Sequence, residues 1–207
     1  MRKPVLLVGF LLAAASVYAG SIPAEFIGWS GGEWQNGYPY YVAVGSGGGQ
    51  TPVMCDDYVH GGAPGMKWQA NITNLGTNDL SLTRFNTVPN ALTLYREVGW
   101  ILLQTQSTPS NQWASMNYAV WHIFDPAVQL SQQAQFWLRQ AQMEAANGFP
   151  GVNFNQVDIL TPVNQYDPDL NSIQEFLYLA PNVIPEPSTL LLVGTELVGL
   201  LGCRRLN

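Results

Sequence analysis

The hydrophobic period changes twice along this chain, and those two changes constrain the fold more than any other feature. Before residue 76 the apolar residues come in short runs, "YPYYVAV" (38–44), "PVMCDDYV" (52–59) and "KWQANITNL" (67–75), separated by the turn-forming "GSGGGQ" and "HGGAPG". These read as strands, with Trp68, Ala70, Ile72 and Asn74 on one face of the third. From Asn90 the spacing becomes three and four. Asn90 is placed to cap "ALTLYREVGWILLQ", whose Leu92, Tyr95, Val98 or Gly99, and Leu102 share a face. "NQWASMNYAVWHIFD" sets Trp113, Met116, Val120 and Phe124 on one stripe and stops at Asp125-Pro126. Ser131 caps a third helix, "QQAQFWLRQAQMEAAN", with an apolar face of Phe136, Leu138 or Arg139, and Met143, ended by Asn147-Gly148. Strand patterns return at 155–160 and 173–180. Strands and helices in separate runs predict an α+β fold: an antiparallel β-sheet or partial barrel with an inserted bundle of about three helices.

Both ends of the chain are built differently from this body. Arg2 and Lys3 precede an apolar stretch and the small-residue site Val17-Tyr18-Ala19, the pattern of a secretory signal helix removed by signal peptidase between Ala19 and Gly20. At the other end, residues 189–203 form an apolar run about 22 Å long as a helix, against a bilayer core of about 30 Å. Glu196 lies inside that run, and a carboxylate at the bilayer centre costs on the order of 3 kcal/mol. The expected organisation is a signal peptide at 1–19, a single exported domain at 20–183, and a C-terminal segment with a hydrophobic helix at 184–207.

Charge and cysteine content narrow what the body can do. Between residues 20 and 183 there are twelve acidic residues against four basic ones, Lys67, Arg84, Arg96 and Arg139. Such a surface repels nucleic acid, which is not expected as a partner. Cys203 belongs to the tail, so Cys55 is the body's one cysteine and no disulfide can form within it.

The tail "IPEPSTLLLVGTELVGLLGCRRLN" resembles the PEP-CTERM sorting segment of exported Gram-negative proteins, at Pro185, Glu186, Pro187, Ser188 and Thr189, then through the Leu/Gly run to Arg204 and Arg205. The resemblance implies brief retention in the inner membrane, recognition by an exosortase-type processing enzyme, and release to the cell surface or medium. It also implies association with exopolysaccharide and biofilm. A tail that stays in place as a membrane anchor is the alternative.

Within the body, "VMCDDYVH" and "MNYAVWHIFD" resemble the paired segments of bacterial thioester domains, where a strand Cys is joined to a Gln that precedes an Ala-aliphatic-Trp pattern on a helix. Ala119, Val120 and Trp121 match, and Asn117, one methylene shorter, holds the Gln position. The resemblance implies a covalent, adhesin-like binder with Cys55 and Asn117 as its acyl pair; the packed-core reading of the same residues implies a thioester-like fold with no bond. Asp56, Asp57, His60, Trp121 and His122 are the neighbours to watch. His60 with Asp56 and Asp57 has metal-ligand chemistry, but acidic pairs at a strand end usually serve the turn that follows, and no metal or other cofactor is expected. Cys55, His122 and Asp125 or Asn117 could make up a cysteine hydrolase, though no nucleophile signature surrounds Cys55. Trp29, Trp34, Tyr38, Tyr40 and Tyr41 suit either sugar stacking or core packing. "NIT" (71–73) fits a glycosylation sequon. The favoured reading assigns no catalytic residue and expects a non-enzymatic surface protein.

Overall fold

A computed structural model describes residues 21–29, 39–163 and 173–180. The signal segment with Ala19 and Gly20, the sorting segment with Pro185 to Thr189 and Arg204-Arg205, and Trp34 and Tyr38 lie outside the described residues. No helix among those described is long and apolar enough to cross a membrane.

Six antiparallel strands close into a barrel. They are β1 (Ile22–Trp29), β2 (Tyr40–Val44), β3 (Gln50–Cys55), β4 (Lys67–Asn74), β5 (Val157–Pro162) and β6 (Phe176–Leu179), in the order β1-β2-β3-β6-β5-β4. Three helices, α1 (Ala91–Gln104), α2 (Trp113–Phe124) and α3 (Gln132–Ala146), are inserted between β4 and β5. The expected sheet or partial barrel is therefore fully closed, and β1, which the sequence pattern does not announce, closes it by pairing with both β2 and β4. A register shift between Phe26 and Gly28 bends β1 in the manner of a bulge, with Gly28 at a φ of 144°.

Alternation along β3, β5 and β6 serves two cores at once. Cys55, Leu160 and Phe176 join Phe26, Tyr40, Val42 and Trp68 in one cluster, while Met54, Ile159 and Leu177 pack with Tyr95, Val98, Leu102, Met116 and Val120 of the helices. β6, most of β5 and the Val53–Cys55 end of β3 are buried on both faces, which is why they read as short apolar runs.

Helix boundaries follow the sequence closely, and the corrections lie in the α1 cap, the buried face of α3 and the pattern of β4. Asn90 does precede α1, but it sits in the left-handed region (φ 61°) and its side chain makes no capping bond. Ser131 caps α3 as expected, its Oγ accepting from the Ala134 N–H at 3.2 Å. The buried face of α3 is Ala134, Trp137 and Ala141, one position away from the expected stripe, and Phe136 and Met143 are exposed. Ala134 and Ala141 are fully enclosed on that face, on either side of Trp137. On β4, Trp68 and Ala70 are buried as expected, but Ile72 is exposed and Thr73 is buried instead.

Candidate functional site

Cys55 ends β3 where α2 crosses it. Its ladder partner on β6 is Phe176, and a second partner comes from the helix. Asn117, fully buried in α2, takes the Cys55 main-chain N–H on Oδ1 at 3.2 Å and donates from Nδ2 to the Cys55 carbonyl at 3.1 Å. One carboxamide thus supplies the donor and the acceptor that a neighbouring strand would supply. The pair singled out in the sequence is brought together, through the main chain of Cys55.

The thiol is occupied differently. Cys55 Sγ donates to the Asp57 carbonyl at 3.2 Å and faces the Asp57 N–H at 3.4 Å, a local turn at the strand end. Complete burial pushes the thiol well above its ordinary pKa, and the adjacent Asp56 adds to this; the Trp121 indole N–H acts in the opposite sense. The result is a protonated, weakly nucleophilic sulfur. Trp121 packs against Tyr58, tilted, and Tyr118, edge-on, with ring centroids 5.1 and 5.0 Å away, and Tyr58 is half exposed.

Next to this pair lies a buried polar cluster. The Asp57 carboxylate forms an ion pair with Arg84 and accepts from His60, whose Nδ1 is 2.8 Å from both oxygens. Arg84 also donates from Nη2 to the Ile173 carbonyl at 2.8 Å and from its main-chain N–H to Glu175 Oε2 at 2.8 Å. Glu175, fully buried, accepts further from the Tyr95 and Thr161 hydroxyls. Asp56 is also fully buried, but no donor of good geometry meets its carboxyl oxygens. Burial first, and then the charges of Glu175 and Asp57, drive Asp56 well above the carboxylate range. Burial raises Glu175 too, opposed by the donors that surround it. The arrangement keeps Asp56 neutral and leaves the negative charge on Glu175, where three donors converge.

Of the neighbours expected around Cys55, Asp56, Asp57, His60 and Trp121 are there. His122 is directed elsewhere: its Nδ1 meets the Val128 carbonyl at 2.8 Å, and no hydrogen bond joins it to the Cys55 thiol among the described residues. Asp125 accepts from the Ala127 N–H in the turn after α2. The Asp57 carboxylate is already committed to Arg84 and His60, and no group of three or more His, Cys, Asp or Glu side chains among the described residues is arranged to hold a metal ion. Tyr40 is buried in the barrel cluster and Trp29 packs against it.

Sequence reasoning did not find Arg84, Tyr95, Thr161 and Glu175. One signal pointed to them: Glu175 sits in the otherwise apolar "IQEFLYLA", and a carboxylate there needs buried partners.

No family model matches this chain, and no curated protein does. Among solved structures, the N-terminal domain of the Streptococcus pyogenes pilus tip adhesin Cpa is similar at 13% identity, over 80% of this chain and 96% of that one, with a TM-score of 0.47.

Proposed function

We propose that this chain is an exported, non-catalytic binding protein of the cell surface or extracellular matrix, in which Asn117 and Cys55 form a structural clamp. The two-way hydrogen bonding between the Asn117 carboxamide and the Cys55 main chain carries this reading. An amide held at both its oxygen and its nitrogen is fixed in place, and its partner thiol is buried, protonated and bonded to the Asp57 main chain. A covalent binder needs an acyl group that an external amine can reach, whereas both side chains here are fully enclosed. Export rests on the signal pattern ending at Ala19 and on the Pro-Glu-Pro segment with its terminal arginines. Exosortase-type processing, and association with exopolysaccharide, belong to the same reading.

Thiol accessibility tests the clamp. In the folded protein Cys55 should resist maleimide for hours and react promptly in denaturant. Rapid labelling of the native protein would overturn the structural reading, and failure to label after unfolding would favour the covalent binder. Processing is read separately from a C-terminal tag, which should be missing from mature protein if the tail is removed.

A further inference from the structure

A second site lies between α2 and α3, apart from Cys55. The α2–α3 turn and the facing side of α3 enclose a cleft of about 370 Å³ lined by His122, Gln129, Leu130, Gln135, Leu138 and Arg139, among others. That is room for one sugar-sized ligand.

Its charge is unusual for this protein. Among the described basic residues, Lys67 pairs with Glu25, Arg84 pairs with Asp57, and Arg96 lies over the Phe154 ring and donates to Asn78. Arg139 has no ion pair or hydrogen bond among the described residues. It stands uncommitted at the cleft of a chain whose net charge is −6. The amino end of α3, which follows Gln129 and Leu130, carries no acidic residue in its first turn, so its partial positive charge is uncompensated. The larger cleft at the barrel rim, about 670 Å³, offers no equivalent, because its cation, Lys67, is paired with Glu25.

The other polar side chains of the α2–α3 cleft offer acceptors. A backbone carbonyl can only accept, so His122 carries a hydrogen on Nδ1 to bond Val128, and the Nδ1–H tautomer presents Nε2 as an acceptor. The Gln129 and Gln135 amide nitrogens each donate one hydrogen, to the carbonyls of Ala127 and Leu130 at 3.3 and 3.4 Å, and each side chain keeps its oxygen as an acceptor beside a second amide hydrogen. A ligand that matches brings hydroxyl groups, which both donate and accept, together with one anionic group suited to a guanidinium, and a C–H face to lie on Leu130 and Leu138. Sulfate brings charge but neither a donor nor a C–H face. We infer that the α2–α3 cleft binds a uronic acid residue, with its carboxylate on Arg139 and its hydroxyls on His122 Nε2 and the two glutamine oxygens.

The experiment titrates the full chain with D-galacturonate, methyl galacturonate ester, galactose and sodium sulfate, following the His122 ring and α3 amide signals by NMR. Saturable binding of galacturonate is expected, weakened about tenfold or more in Arg139→Gln and in the methyl ester, whose charge is gone. Arg139 is exposed, so Arg139→Gln should fold normally, and its dispersed spectrum checks this. The proposal is overturned if galacturonate does not bind, if Arg139→Gln binds it unchanged, or if sulfate or galactose binds as well as galacturonate. None of these outcomes depends on the chemical state of Cys55.

Discussion

Asn117 holds Cys55 by its main chain and not by its sulfur, with contacts of 3.2 and 3.1 Å that span 62 residues of sequence. Truncating it therefore strands two buried backbone groups. Asn117→Ala should cost about 3 kcal/mol, from two lost hydrogen bonds and the desolvated N–H and carbonyl left behind. Urea unfolding of the variant and the parent reads this directly; a cost under about 0.5 kcal/mol, the range of an ordinary surface change, would mean the clamp is idle.

Arg84 joins the segment before α1 to both Asp57 and the residue 173–175 stretch, and its side chain is only 8% exposed. Arg84→Met removes the cation and leaves the Asp57 carboxylate enclosed with His60 alone. Breaking a buried pair on one side costs about 3 to 5 kcal/mol. Asp57→Asn in the same chain should recover part of that loss, and a double-mutant cycle of denaturation midpoints measures how much.

Asp56 is a carboxyl kept neutral by its surroundings. Its folded pKa lies above its unfolded one, so the folded state holds the proton more tightly, and the contribution to stability is complete at acid pH and falls as pH rises above the ordinary carboxylate range. Asp56→Asn keeps the shape without the titration. The variant's stability should depend less on pH than the parent's between pH 4 and 8, a comparison that thermal melts across that range would make. Parallel curves would contradict the assignment.

Glu97 on α1 shows the same sign on a smaller scale. Burial raises its pKa to about 6, so folding gains from its protonated form below about pH 4.5 and loses that gain as pH climbs through 6. Glu97→Gln should match the parent at pH 4 and exceed it at pH 7.5 by about 1 kcal/mol, after allowance for solvent screening. Chemical denaturation at the two pH values gives the difference.

The helices were legible in the sequence because a three-to-four spacing carries its own boundaries, and Ser131 and Asp125-Pro126 mark two of them. The face of α3 was not, because Ala134 and Ala141 look unremarkable beside Phe136 and Met143, and only packing shows that small residues are needed there. Barrel closure depends on β1, whose Pro23, Glu25 and bulged Gly28 weaken any alternation. At the site, Cys55 and Asn117 could be paired only through the resemblance of their two segments to those of thioester domains. The polar cluster could not, since Arg84 meets Asp57 across 27 residues and Glu175 across 91, and Tyr95 meets Glu175 across 80. Locally the sequence shows only that Glu175, in an apolar run, needs buried partners, and not which residues supply them.

The central claim is that Cys55 and Asn117 are a clamp of two intact side chains. Intact mass of the purified protein, with peptide mapping across residues 55 and 117, tests it most directly. The clamp predicts the mass calculated from the sequence of the purified, processed chain, with no ammonia lost, and a thiol at Cys55 that alkylates once the protein is unfolded. A mass lower by one ammonia, with Cys55 and Asn117 recovered in a single cross-linked species that does not alkylate, would contradict it.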